Sequence, residues 1–183
     1  MDIVRLTRAG DDLRSAAARI LTAAFSHIPV WSTITEARAE VDECFSADRV
    51  AFGVTLDGDL AGWVGAIKHS EPLWELHPIA VRPDAHRRGV GRLLVETLED
   101  EAERQGAVTI YLGTDDEFGG TNLFGRDVYP TPLEHLAELR VKTAHPYRFF
   151  ERLGFCVAGV IPDASGVGKH DILMAKRVGR RSK

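Results

Sequence analysis

HPIAVRPDAHRRGVGRLL, His77 to Leu94, is the stretch whose reading decides the fold. It runs from an apolar strand through a proline-marked turn and a glycine-rich basic loop into an amphipathic helix. Gly89 and Gly91 have no Cβ, so the backbone there can pass close to a ligand. The helix start that follows turns unpaired N–H groups and a positive dipole end into the same space. Arg87, Arg88 and Arg92 crowd that end, where a cation is ordinarily disfavoured. A bound polyanion removes the conflict, and a pyrophosphate is the expected one. The plain alternative is a strand-to-helix turn that holds nothing.

Downstream, residues 89–105 put Val90, Leu93, Leu94, Leu98 and Ala102 on one face, and Gly106 is placed to end the helix. AVTIYL (107–112) reads as a buried strand. Residues 113–130, GTDDEFGGTNLFGRDVYP, are polar and glycine-rich, and a loop of that length inside a compact domain is usually functional or disordered. Leucines 133, 136 and 139 predict a helix over 131–142. A second helix is expected over 146–153, with Pro146 near its first turn and Gly154 at its end. Strands over 155–161 and 172–176 close the chain. Upstream, 2–6 alternates like a strand, and 13–25 carries a helical stripe of Leu13, Ala16, Ala17, Ile20, Leu21 and Ala24. HIPVW (27–31) reads as a loop exposing Trp31, and a weaker helix covers about 35–46. Strands over 49–56 and 60–69 flank Asp57-Gly58-Asp59, a hairpin signal, and a further strand spans 74–81. The chain reads as an α/β or α+β protein built on a mixed sheet.

At 183 residues this is expected to be one domain, with 178–183 a frayed tail. A chain of this size buries roughly 70% of its unfolded surface and needs no covalent staples. The net charge of −4, with no basic stripe before the terminal GRRSK, argues against nucleic acid as a partner. Cys44 and Cys156 form no C-x-x-C pair and the seven histidines form no H-x-x-x-H pair, so neither a disulfide framework nor a metal site is expected. Both thiols read as reduced and the protein as cytoplasmic. MDIVRLTRAGDD looks like neither signal peptide nor anchor, and no run approaches the roughly 20 apolar residues of a membrane span.

R-x-x-G-x-G/A opening the helix after that strand resembles the GNAT superfamily of acetyl-CoA-dependent N-acetyltransferases. The core here is His86-Arg87-Arg88-Gly89-Val90-Gly91, with His86 where the family usually has Gln or Arg. Tyr147 to Phe155, ending in Leu-Gly-Phe, resembles a second family segment. More narrowly, WELHPIAV (74–81), IYLGTDD (110–116), HPYRFFERLGF (145–155) and VIPDASGVGKHDILMAK (160–176) resemble aminoglycoside 6′-N-acetyltransferases of the chromosomal enterococcal type. The N-terminal third matches only in its pattern of elements. The resemblance implies a GNAT fold: a mixed, mostly antiparallel central sheet of about seven strands flanked by about four helices. It also implies acetyl-CoA as cosubstrate, direct acetyl transfer to an aminoglycoside 6′-amine in a ternary complex, a part in antibiotic resistance, and a homodimer.

Residue roles follow from the same resemblance. Backbone N–H groups of Arg87, Arg88, Gly89, Val90, Gly91 and Arg92 would grip the CoA pyrophosphate. Ile79, Ala80 and Val81 would pair with the pantetheine arm and supply a donor to the thioester oxygen. A primary amine near pKa 10 is mostly protonated at neutral pH, so a base must take its proton before it can attack. Glu75 and His77 lie two apart on one strand and share a face. The resemblance places them near the reacting amine; otherwise Glu75 is a strand-edge charge and His77 packs or caps. Asp115, Asp116 and Glu117 are either a solvated acidic turn or a site for the ammonium groups of a polycationic sugar. Trp31 and Trp74 are candidates to line that site, with a core role equally open for Trp74. The family's Tyr that protonates the departing thiolate is matched here by Phe150, which leaves Tyr147 as a stand-in acid or a packed aromatic. The alternatives are a GNAT acting on a polyamine, peptide or lysine, and a non-catalytic acyl-CoA sensor.

Overall fold

The computed structural model of the protein describes residues 1–7, 9–26, 31–143 and 145–179. Four residues of the 27–31 loop and the last four of the chain therefore lie outside it. Among the described residues are seven strands and five α-helices. In order these are β1 (Asp2–Arg5), α1 (Asp11–Ala24), α2 (Ile34–Cys44), β2 (Val50–Leu56), β3 (Asp59–Lys68), β4 (Leu73–Val81), α3 (Val90–Arg104), β5 (Thr109–Asp115), α4 (Pro132–Ala137), α5 (Tyr147–Arg152), β6 (Cys156–Ile161) and β7 (Asp171–Arg177). A short 3-10 turn, Pro83–Ala85, precedes α3. This is the expected α/β class with the expected strand number. The chain divides into two compact units, Met1–Val108 with Val178–Lys183, and Thr109–Arg177.

In the first unit β1 to β4 form consecutive antiparallel pairs. β3 reads DLAGWVGAIK and is buried through Leu60–Ala66 because helices cover both faces. Trp63 points toward α1, where its indole N–H donates to Ala17 O at 3.1 Å. Its neighbour Gly62 faces the other way, and a Cβ there would meet Val90 of α3 at 3.1 Å. The α1/α2 side packs Leu6, Leu21, Val41, Phe45 and Trp63 into one core, and α3 contributes Leu94, Val95 and Leu98 to the opposite side. α2 begins with a capping box: the Thr33 hydroxyl accepts from Glu36 N–H while the Glu36 carboxylate returns to Thr33 N–H.

One irregularity in this unit bears on function. Val64 pairs with Ile79 but Ala66 pairs with Leu76, so His77 and Pro78 together oppose the single residue Gly65. This is a β-bulge on β4. Gly65 permits it, since a Cβ there would stand 2.6 Å from His77 O. The bulge leaves Glu75, His77 and Ile79 on the less buried face while Trp74, Leu76, Pro78 and Ala80 are buried.

In the second unit β7 lies between β5 and β6, antiparallel to both. Ile110, Leu112, Ile172 and Met174 are fully buried. Phe150 of α5 stacks edge-on against Phe149 and Phe155. β5 runs to Asp115, three residues beyond the expected 107–112 strand. The helix expected over 131–142 is only Pro132–Ala137, with no buried residue and Leu133 68% exposed. Its leucine spacing is not a core stripe. The chain leaves helical form because the Asn122 side chain accepts from Arg140 N–H and donates to Glu138 O, and Thr121 bridges to Val141.

Candidate active site

The loop before α3 is built for a close approach. Arg87 and Gly89 both have left-handed backbones, φ 59° and 87°. Gly89 is the N-cap of α3, with no side-chain cap and no acid in the first turn. The N–H groups of Val90, Gly91 and Arg92 therefore start the helix without intrahelical acceptors. Nothing lies within 4 Å of where a Gly89 Cβ would be. Arg87, Arg88 and Arg92 are exposed, and of the three only Arg92 makes an ion pair among the described residues, a loose 3.5 Å contact with Glu96. His86 anchors the loop by donating from Nε2 to Val81 O at 2.9 Å, a use for the residue that departs from the family motif. These features suit a pyrophosphate held by backbone donors.

On β4 the ladder separates the three expected carrier contacts. Arg82 N–H donates to Ala61 O, so Arg82 and, two residues back, Ala80 turn their backbone groups toward β3. Ile79 and Val81 turn theirs away from β3. Ala80 is thus spent on the ladder and its side chain is buried, which removes it from the carrier contacts.

The less buried face of β4 meets α2 and Trp31 in an acid–imidazole cluster. His77 Nε2 lies 3.4 Å from Glu40 Oε1. The Cys44 thiol donates to the same oxygen at 3.2 Å, and the Trp31 indole N–H donates to Glu40 Oε2 at 3.4 Å. The Trp31 and His77 rings are 6.0 Å apart, and Trp31 stands edge-on to Phe25. The contact with His77 holds the Glu40 carboxyl below the ordinary carboxylate range, against burial, and in return holds the imidazole above its ordinary 6.5. Glu75 Oε2 is 2.7 Å from His69 Nε2. Trp74 is 1% exposed, with Lys68 Nζ 4.9 Å from its ring centre, so it is a core residue and not a wall of an open site.

In the second unit the acids after β5 have separate fates. Asp115 is exposed at the strand end and accepts from the Ser165 hydroxyl at 2.7 Å, opposite Asp171 in register. Asp116 is 1% exposed and accepts from Gly120 N–H at 2.7 Å, Thr121 N–H at 2.9 Å and the Thr121 hydroxyl at 2.6 Å. It is a loop clamp, and the expectation that it binds substrate is corrected. The Tyr147 hydroxyl donates to Glu151 Oε1 at 2.9 Å, and burial together with that carboxylate raises its pKa. Both effects oppose its use as an acid. A cleft of about 430 Å³ lined by Arg126, Arg140 and Lys142, with Asn122, Phe124 and Glu138, is too cationic for an ammonium-bearing sugar.

A model of the acetyltransferase (GNAT) family matches residues 11–124. The chain belongs to the GNAT family. GNAT enzymes use acetyl-CoA. Over the full length of both chains, this one is 33% identical, at a TM-score of 0.91, to an aminoglycoside 6′-N-acetyltransferase solved with coenzyme A. It is likewise 33% identical over full length, at a TM-score of 0.89, to the aminoglycoside 6′-N-acetyltransferase of Enterococcus faecium. A shorter stretch of 37 residues is 57% identical to the [ribosomal protein bS18]-alanine N-acetyltransferase of Salmonella typhimurium, covering 20% of this chain and 25% of that one.

For this GNAT protein, the side chain that sequence reasoning missed is Glu40. Its signal was present: Ala37, Val41 and Cys44 mark the buried stripe of α2, and Glu40 lies on the same side, one turn from Ala37 and one from Cys44. An acid beside a core stripe needs a partner, and His77 on β4 is that partner.

Proposed function

We propose that this GNAT protein transfers acetyl from acetyl-CoA to the 6′-amine of aminoglycosides, directly and within a ternary complex. The observation that carries this reading is the full-length likeness, at 33% identity, to enzymes of that activity. The cosubstrate supplies an acyl carbonyl activated by a thiolate leaving group. The chain's part is to hold the carrier's pyrophosphate on the N–H groups at the start of α3, to align the acyl arm along Ile79 and Val81, and to remove a proton from the acceptor ammonium. Glu75 and His77 are the residues for the last task, and Trp31 offers a partly buried apolar wall; in the second unit, exposed Asp115 is a separate candidate to receive an ammonium group. The same reading carries a homodimer, a cytoplasmic setting and a role in resistance, which sedimentation and antibiotic susceptibility of an expressing strain examine.

A second reading is acetylation of a peptide N-terminal alanine, favoured by the 37-residue match to the ribosomal-protein enzyme. Thiol release measured with kanamycin-type sugars, with 6′-hydroxyl analogues and with an alanine-terminated peptide separates the two. Turnover only where a 6′-amine is present supports the first. Turnover on the peptide alone supports the second. Acetyl-CoA binding without turnover on any amine defeats both and leaves an acyl-CoA sensor.

A further inference from the structure

We propose that Glu40 is a positioning residue that fixes the His77 imidazole with Nε2 toward α2, so that Nδ1 is the atom that accepts the proton of the acceptor amine. The inference rests on the acetyl-transfer reading above and adds a residue to it. A carboxylate only accepts hydrogen bonds, so the 3.4 Å approach of Nε2 to Glu40 Oε1 favours the tautomer with its hydrogen on Nε2. Neutral imidazole has one N–H, and its lone pair is then on Nδ1. Nδ1 has no hydrogen-bond partner among the described residues, and the side chain is 37% exposed, so water or an amine can reach it.

The carboxylate is itself held in place. The Cys44 thiol and the Trp31 indole approach it as neutral donors, one on each oxygen. The charged and titratable groups around the imidazole are Glu40 and Cys44 from α2, Glu75 from β4 and Arg49 just before β2. Glu40 and Glu75 favour the imidazolium, while burial and Arg49 oppose it, and the Glu40 contact prevails. The result is a stronger base than a free histidine. In the proton step an N–H bond of the ammonium breaks and an Nδ1–H bond forms, leaving the amine its lone pair. The imidazolium stays paired with Glu40 and passes the proton to solvent through its exposed edge.

The test begins with nitrogen-15 NMR of His77 in the ligand-free protein. The wild type is expected to show the Nε2–H tautomer when neutral and a midpoint above the ordinary 6.5. Glu40→Gln keeps an acceptor but removes the charge, so the midpoint should fall by roughly 1 pH unit or more. Glu40→Asp should recover part of that fall. The acid limb of kcat/KM on the best amine should move with the NMR midpoint. In Glu40→Gln kcat should drop by about 10- to 100-fold, less than the ~10²–10⁴ of a general base itself, with KM for acetyl-CoA unchanged. An unchanged midpoint in Glu40→Gln, or a dominant Nδ1–H tautomer in the wild type, overturns the proposal. So does a pH profile that ignores a shifted midpoint. Absence of wild-type turnover on every amine defeats the acetyl-transfer reading and the base role with it, while the titration still decides the pairing.

Discussion

Asp116→Ala is expected to unfold a loop and not to empty a substrate site. The carboxylate is 1% exposed and accepts from two backbone N–H groups and one hydroxyl within 2.6–2.9 Å. Hydrogen bonds to a charged group contribute about 1.5–3 kcal/mol each, and a buried donor left without a partner costs about 1–3 kcal/mol. Three such bonds are not additive, because they share one carboxylate and water can enter a relaxed loop. A net loss of about 3–5 kcal/mol follows. With a urea slope near 2 kcal/mol/M, the unfolding midpoint should fall by about 1.5–2.5 M. Asp116→Asn keeps one acceptor oxygen and should lose about 1–3 kcal/mol. Asp115→Ala removes only an exposed carboxylate held by Ser165, so its stability should stay within about 0.5 kcal/mol of wild type while KM for the amine rises. The reasoning is refuted if Asp116→Ala unfolds like the wild type and only its amine KM increases.

Other perturbations divide the same way between frame and chemistry. Gly89→Val strains a left-handed backbone by about 1–2 kcal/mol, but its Cβ meets no protein atom within 4 Å, so calorimetry should show acetyl-CoA affinity lost with the fold retained; unchanged affinity would move the pyrophosphate elsewhere. Gly65→Ala drives a Cβ to 2.6 Å from His77 O, so it should cost about 1–3 kcal/mol and lower kcat by displacing His77; a neutral result would mean the bulge adapts freely. Burial lowers the pKa of His145, so the unfolded chain takes up a proton that the folded chain resists as pH falls below 6.5. That contribution to stability is lost in acid, and His145→Asn should flatten the acid limb of a urea-midpoint profile. His77 has the opposite sign: its raised value stabilises the fold below 6.5, and this is lost as pH rises through the folded value, a limb His77→Gln should remove.

Elements with a strong period or a strong punctuation residue were legible in the sequence. The α1 and α3 stripes, the Asp57-Gly58-Asp59 hairpin and the glycine ending α3 all came from contacts within a few residues. The 131–142 helix failed because Asn122, some eighteen residues away, captures Arg140 N–H and the carbonyl of Glu138. Asp116 failed for a similar reason: nothing in DDE says which acid turns inward, and that is fixed by where Gly120 and Thr121 return. Glu75 and His77 sharing a face was legible from strand alternation, although a bulge at His77-Pro78 interrupts the ladder there. Glu40 was not, because its meaning depends on a partner 37 residues away.

The same pairing bears on whether the acetyl group passes through the protein. A covalent acetyl-enzyme needs an activated nucleophile, and the cysteine beside the proposed base's carboxylate partner is Cys44. Burial first, and then Glu40, push its thiol far above the ordinary thiol range. Its hydrogen is directed at Glu40 Oε1, so deprotonation would set two anions 3.2 Å apart. Cys156 is exposed, but it lies on β6 and its thiol donates to the backbone oxygen of Ala175. Cys44 therefore serves as a neutral donor that steadies Glu40, and transfer should be direct. Incubation with acetyl-CoA alone should leave the intact mass unchanged, and initial rates with both substrates varied should give intersecting rather than parallel lines. Cys44→Ala should retain turnover and lower the His77 midpoint only slightly, whereas Cys44→Asp should cripple the enzyme by placing a second charge against Glu40. A mass increase of one acetyl group that vanishes in Cys44→Ala would refute the argument at its root.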